Sequence, residues 1–417
     1  MGNTRNRRVV VTGYGAVTPL GHGVQASWEA IMDNRVGYRP VDKTQAGIVS
    51  GIYGLIDTPA NVRFLPATIR RRLPRFAAFA LASAKEAIDM AFGQHTIGEY
   101  YDPLTCGAII GTGWGGLDEA IDSYDLYREK QMGSPFGCFL SMHNVATAAC
   151  SQFWGLRGYQ NTPIAACATG SIAIGDACEI IRSGRAAMML AGGAESLLRD
   201  NSVWNIDVLR ALTQEQHDVT RACCPFSLDR NGFVLSEGAA VLCLEERESA
   251  LARGAVILGE ITGYGNYSDA SDFTAPAADK IARVETIRQA LAQANLHAEQ
   301  LDYINAHGTS TPLNDLNETE ALKMALGDTA YTIPVSSTKS WSGHLIAAAG
   351  SFETIICLKA LEHQIMPATA HLKHADPQCD LDYIAEGHRQ GKISHTLNVS
   401  FGFGGANAAL IISRGAA

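Results

Sequence analysis

The chain has 417 residues, 47% of them apolar and 18% charged, enough to bury a large core and too apolar for disorder. A formal charge of −9 argues against a general attraction to nucleic acid or an anionic membrane, and no apolar run approaches the ~20 residues that span a bilayer. Ten scattered cysteines without a CxxC pair argue against zinc and fit a reduced, cytoplasmic protein.

Arg5, Arg7 and Arg8 lead into Val9-Val10-Val11 and Thr12-Gly13-Tyr14-Gly15. That apolar stretch is too short for a signal peptide and reads as a first strand. Arg70-Arg71-Arg72, flanked by Arg63 and Arg75, is either a solvated helix start or a patch for an acidic partner. Cys106 to Gly113 reads as a second strand ending in glycine. Pro163-Ile164-Ala165-Ala166-Cys167 then opens a helical stretch to Gly184, with few charges and many small side chains, as suits a helix packed on nearly all sides. Met188 to Ala194 is a further strand, and Val241 to Glu246 closes this half.

Past residue 250 the same landmarks return in the same order. Thr262-Gly263-Tyr264-Gly265 echoes the first turn, and Tyr303 to Thr309 echoes the strand at Cys106. Pro334 to Lys339 precedes a second small-residue helix from His344, and Leu397 to Ala406 parallels Met188 to Ala194. Four echoes in order predict a duplicated βαβ-type unit, with halves at 1–250 and 251–417. With the two small-residue helices against each other, the expected α/β fold is a five-layered α/β/α/β/α sandwich.

A buried cysteine is usually a small hydrophobe. Cys167 differs because it stands between a strand and a helix start, where the helix field is expected to lower the thiol pKa and favour the thiolate. Its own N–H can donate to a thioester oxyanion. His307 and His344 each sit beside a glycine, Gly308 and Gly343. One histidine would suggest simple acyl transfer. Two suggest donors to a carbonyl that becomes an enolate, as decarboxylation α to a thioester requires. Lys339 is expected to be buried and paired with Glu353, or with a carboxylate near Asp315 and Glu318, orienting the site by charge. Gly402-Phe403-Gly404-Gly405 lacks the Lys-Ser/Thr of a phosphate loop.

These residues carry a resemblance over essentially the whole chain. Ala166-Cys167-Ala168-Thr169-Gly170, Asp229-Arg230-Asn231-Gly232-Phe233-Val234, Asn305 to Pro312, Ser337-Thr338-Lys339-Ser340, Gly343-His344-Leu345 and Phe401 to Asn407 resemble the β-ketoacyl-acyl-carrier-protein synthases of the elongating type II class, in the thiolase superfamily. The resemblance implies decarboxylative Claisen condensation. Cys167 would hold the acyl chain, His307 and His344 would stabilise the malonyl enolate, and the N–H groups of Cys167 and Phe403 would form the oxyanion hole. It further implies support from Lys339 and Glu353, pantetheine binding by Thr309 and Thr311, a gate at Phe403, and docking of an acidic acyl carrier protein on Arg71, Arg72 and Arg210. No cofactor or metal is implied beyond the carrier's phosphopantetheine arm. The partner would be an identical subunit, or a related ketosynthase-like chain-length subunit. A CoA-dependent thiolase would want a second cysteine in the 402–405 loop, and none is there.

Trp114 stands where long-chain members carry a smaller aliphatic residue along the acyl tunnel, and Gly137 where a bulky aromatic is usual. Ala165 and Ala406 replace common threonines, and Gln131 and Met132 stand where a basic pair is usual. These departures suggest a dedicated pathway, with a short, unsaturated or polyene chain of polyketide type, rather than bulk fatty-acid synthesis.

Overall fold

The structure, a computed structural model, describes residues 7–415, so Arg5 lies outside the described residues. Ten strands and six helices position the site. In the first half these are β1 (Val9–Thr18), α1 (Arg75–Phe92), β2 (Cys106–Gly111), α2 (Val145–Trp154), β3 (Gln160–Asn161), α3 (Thr169–Arg182), β4 (Met188–Glu195) and β5 (Gly238–Glu246). In the second they are β6 (Gly259–Ser268), α4 (Ile281–Ala294), β7 (Tyr303–Asn305), α5 (Pro312–Leu326), β8 (Val335–Ser336), α6 (Ala349–His363), β9 (His395–Gly402) and β10 (Ala406–Ser413).

The first five strands lie in the order β3-β2-β4-β5-β1 and the second five in the order β8-β7-β9-β10-β6. Each strand has its counterpart five labels on, with the same parallel or antiparallel pairing. α3 and α6 pack against each other between the sheets, α1 and α2 cover one outer face, and α4 and α5 the other. That is the five-layered sandwich, with one apolar core in the middle and one beneath each outer helix layer. The sheets are not separate, however. β1 pairs antiparallel with β6 at Val10–Glu260 and Val11–Gly259, so one hydrogen-bonded sheet runs through both halves.

The glycine turns have a packing cause. A Cβ at Gly13 would lie 2.0 Å from Ala87 O, and one at Gly263 would lie 2.0 Å from Ala290 O. Each echo therefore lets an outer helix rest directly on its strand. The central helices cross as closely, since a Cβ at Gly170 would meet Ser351 N at 2.7 Å and one at Gly350 would meet Ser171 Oγ at 2.3 Å. Among the described residues no helix is long and apolar enough to cross a membrane.

Candidate active site

Cys167 lies in a single 3-10 turn, Ala166–Ala168, that runs into α3, and Ala166 is held in the left-handed region at φ 45°. The second half repeats this device: Ile346–Ala348 runs into α6, with Ile346 at φ 50°. The loop after β9 comes down on the Cys167 turn so closely that a Cβ at Gly402 would sit 2.6 Å from Ala165 O and 3.2 Å from Cys167 N. Only glycine permits that approach, and it brings Phe403 to the sulfur. The backbone N–H groups of Phe403 and Cys167 both point at Sγ.

His307 follows β7 in a turn clamped by Glu318, whose carboxylate accepts from His307 N at 2.6 Å and Gly308 N at 2.7 Å. His344 is fixed by its backbone, donating to Val234 O at 2.8 Å and accepting from Ser236 N at 3.0 Å. Gly343, at φ 69°, has Ser236 Oγ where a Cβ would be. Cys167 Sγ and one ring nitrogen of each histidine all lie within 4.8 Å of one another, and all three residues are buried.

Burial and the Lys339 charge hold both imidazoles well below the usual histidine pKa, so they are neutral at neutral pH. Ile346 N donates to His344 Nδ1 at 3.1 Å, which places the His344 proton on Nε2. Burial pushes the Cys167 thiol up to about 12, against the lowering effects of Lys339 and the two N–H groups. The thiolate expected from the helix start is therefore not the resting form; desolvation outweighs the helix field. A soft cation would suit the spacing of the trio, but His344 Nδ1 is taken by the Ile346 N–H, so its Nε2 carries a proton where a metal ligand must present a lone pair. Alkylation of Cys167 by iodoacetamide should accordingly rise about tenfold per pH unit from roughly pH 6 to 9. The Cys167 peptide followed by mass spectrometry reads this directly, and a plateau near neutral pH would contradict it.

Lys339 and Glu353 form a buried ion pair, with Lys339 Nζ donating to Glu353 Oε1. Asp315 and Glu318 do not share that lysine. Asp315 Oδ2 accepts from Phe226 N at 3.0 Å, and Glu318 holds the His307 turn. Burial raises Glu353 and Glu318 to about 7 and Asp315 to about 6.

A cavity of about 390 Å3 opens beside the trio, lined by Cys167, His307, His344, Thr309, Thr311 and Phe403, with Arg210 also on its wall. The Thr309 and Thr311 hydroxyls are 2.8 Å apart. Trp114 and Gly137, expected along an acyl pocket, do not line this cavity. Trp114 packs in an apolar cluster that includes Cys167, Phe233 and Ile346, whereas Gly137 is set against Ser123. Arg71 and Arg72 are exposed away from the cavity, and Arg72 lies 4.1 Å over the Phe136 ring. Arg75 leaves the expected basic cluster, because it turns inward to pair with the buried Glu237 carboxylate at 2.6 Å.

Sequence reasoning missed Glu195 and Arg283. Glu195 is buried and accepts from Gly113 N at 2.7 Å and Trp114 N at 3.3 Å, tying the Trp114 loop to the end of β4. Arg283 lines the cavity from α4, where helical spacing puts it on the buried stripe with Ile287 and Ala290. That spacing was the available signal.

Comparison with known proteins gives two family matches: the β-ketoacyl synthase N-terminal domain over residues 6–250 and the β-ketoacyl synthase C-terminal domain over residues 258–373. The 3-oxoacyl-[acyl-carrier-protein] synthase 2 of Synechocystis sp. is 40% identical over 99% of this chain and 100% of its own length. That of Staphylococcus aureus is 34% identical over 99% of both chains. Among solved structures, a β-ketoacyl synthase from Burkholderia phymatum superposes with a TM-score of 0.90 at 31% identity, covering 99% of this chain and 100% of the other. A ketosynthase solved with its type II polyketide acyl-carrier protein and bound to a hexaketide gives 0.89 at 32%, covering 98% of this chain and 100% of the other.

Proposed function

Because the chain belongs to the β-ketoacyl synthase family, we propose that this acyltransferase condenses malonyl-carrier protein with an acyl chain held on Cys167, releasing CO2 and β-ketoacyl-carrier protein. The carrying observation is the trio, one thiol and two neutral imidazoles within 4.8 Å, with two backbone N–H groups aimed at the sulfur.

In the first half-reaction Sγ attacks the incoming thioester carbon. The thiol proton ends on the departing pantetheine sulfur, and the neutral His307 ring is in reach to carry it. The N–H groups of Cys167 and Phe403 hold the oxyanion, already oriented in a desolvated site. In the second, the malonyl C–CO2 bond breaks and its electron pair passes to the thioester oxygen, where His307 and His344 donate. The resulting carbanion attacks the Cys167 thioester, the new C–C bond forms, and the sulfur leaves and takes up a proton. Thr309 and Thr311 flank the path of the pantetheine arm. Burial, together with the Lys339 charge that Glu353 anchors, keeps the imidazoles uncharged, so that they remain donors without protonating the carbanion.

Arg210 at the cavity wall, with the exposed Arg71 and Arg72, supports docking of an acidic acyl carrier protein. Exposed Phe139, Met142, Tyr124 and Tyr127 support pairing with a second chain, identical or a related chain-length subunit. A solved ketosynthase/chain length factor shares the fold, with a TM-score of 0.88 at 29% identity.

A restricted acyl chain, of specialised rather than bulk type, is the reading that Trp114 favours. Its indole shares the apolar cluster of Cys167, and Glu195 holds its backbone. Trp114→Ile should lengthen the accepted chains, each newly buried methylene raising loading roughly four-fold. Mass spectrometry of Cys167 after incubation with a panel of acyl-carrier thioesters tests both claims. No loading by any chain would remove the condensing reading, and an unchanged chain-length profile in the variant would remove the role of Trp114.

A further inference from the structure

Arg283 is 5% exposed, yet it lines the cavity that holds Cys167 and both histidines. Its guanidinium lies 4.0 Å over the Phe401 ring, and the Phe401 and His307 ring centres are 5.7 Å apart. One phenyl ring thus separates this charge from a catalytic imidazole. Nη1 donates to Asn314 Oδ1 at 3.1 Å, and Nε is buried without an acceptor.

Among the described residues no carboxylate pairs with Arg283. Asp269, Glu318 and Asp315 are its negative neighbours. Asp269, which also lines the cavity, accepts from Asn407 Nδ2 at 2.7 Å and Ala277 N at 3.2 Å. Glu318 and Asp315 are engaged by backbone N–H groups, as described above. Burial lowers Arg283 to about 10, which leaves it charged at neutral pH. A buried guanidinium short of acceptors is costly, and a visiting oxyanion would relieve that cost.

We propose that Arg283 forms an anion subsite that takes the free carboxylate of the malonyl thioester before CO2 leaves; this rests on the condensing reading above. A malonyl group carries its charge into a cavity where the thiol and both imidazoles are neutral and where Arg283 and Arg210 face the one lining carboxylate, Asp269. The carrier phosphate has the same chemistry, but it sits at the far end of the pantetheine arm, beyond Thr309 and Thr311. The carboxylate charge moves onto the thioester oxygen as the bond breaks. Arg283 therefore holds the ground state more tightly than the transition state, and its contribution appears in affinity rather than rate.

Arg283→Met, Arg283→Gln and Arg283→Lys in the full chain test this with malonyl-loaded and acyl-loaded carrier protein. In the Met and Gln variants KM for malonyl-carrier should rise roughly ten- to hundred-fold, the size of one charge-assisted hydrogen bond, with kcat unchanged or higher and partial recovery in Lys. Acylation of Cys167, which brings a phosphate but no carboxylate, should change far less. Malonyl-pantetheine without the phosphate should keep the dependence on Arg283. If the loss instead follows the phosphate, appearing equally with acyl arms, the carboxylate assignment is overturned. A parallel fall in kcat, acylation and melting temperature in all three variants also overturns it, leaving Arg283 a structural counter-ion. A wild-type chain that neither acylates nor decarboxylates fails the condensing reading itself. An active wild type whose variants keep its KM fails the subsite alone.

Discussion

Cys167→Gln is expected to lose condensation by roughly 10^4-fold or more while still releasing CO2 from malonyl-carrier protein. On the proposed mechanism the thiol forms and breaks the only bond to the acyl chain, so no neighbouring group can substitute for it. Decarboxylation on that mechanism asks something else of the site: two neutral N–H donors against a developing enolate, the role proposed for His307 and His344. The amide side chain should also occupy the place of the acyl thioester, its oxygen accepting from the two N–H groups that now meet at the sulfur. CO2 release and β-keto product are measured in parallel. If both fall together, the thiol and the imidazoles do not divide the reaction.

The second large effect is on stability. Lys339 and Glu353 are 1% and 2% exposed, and Glu353 Oε2 has no partner, so removing the lysine strands a buried carboxylate. Lys339→Met should cost about 3–5 kcal/mol, and adding Glu353→Leu should restore most of it, since an apolar pair of similar volume removes the desolvation cost as well. The pH dependence has a defined sign. Burial raises Glu353 to about 7, so the folded state binds the proton more tightly than the unfolded chain does. Stability from this group therefore falls as pH rises from about 4.5 through 7, and loss of Lys339 extends the fall upward. Chemical denaturation at about pH 5.5 and 8 should show the larger loss at the higher pH. Equal losses at both, or a double variant no better than the single, would refute the account. Burial still depresses His344 with the lysine gone, but the added depression from the Lys339 charge is lost, so the acid limb of the variant's activity should move to higher pH.

The layered fold was legible because its signals are local. Strand ends fall on glycines that must admit a helix, as at Gly13 and Gly263, and the same spelling recurs in the same order. The joining of the two sheets was not legible, since the β1–β6 pairing depends on tertiary placement rather than on either strand's pattern. Residue types marked the cysteine, the histidines and the lysine, but their protonation states could not be read from them. Whether a helix start or desolvation governs the Cys167 thiol depends on how deeply the turn is buried, and burial wins. Lys339 had three candidate acids in the sequence, and packing decides for Glu353. Arg75 and Arg283 show the same limit, because an arginine in a helix reads as solvated until its face is known.

The continuous sheet has one more consequence, for assembly. Two separate five-stranded sheets would expose four edges to other chains. Joining β1 to β6 removes two of them, and the segment at Asp382–Ile384 hydrogen-bonds along β8 and covers a third. Among the described residues, what remains open on this sheet is the short rim at Gln160–Asn161, both exposed. Pairing strand to strand through this rim would join one neighbour and no more, so growth through the central sheet would stop at two chains instead of continuing into a fibre.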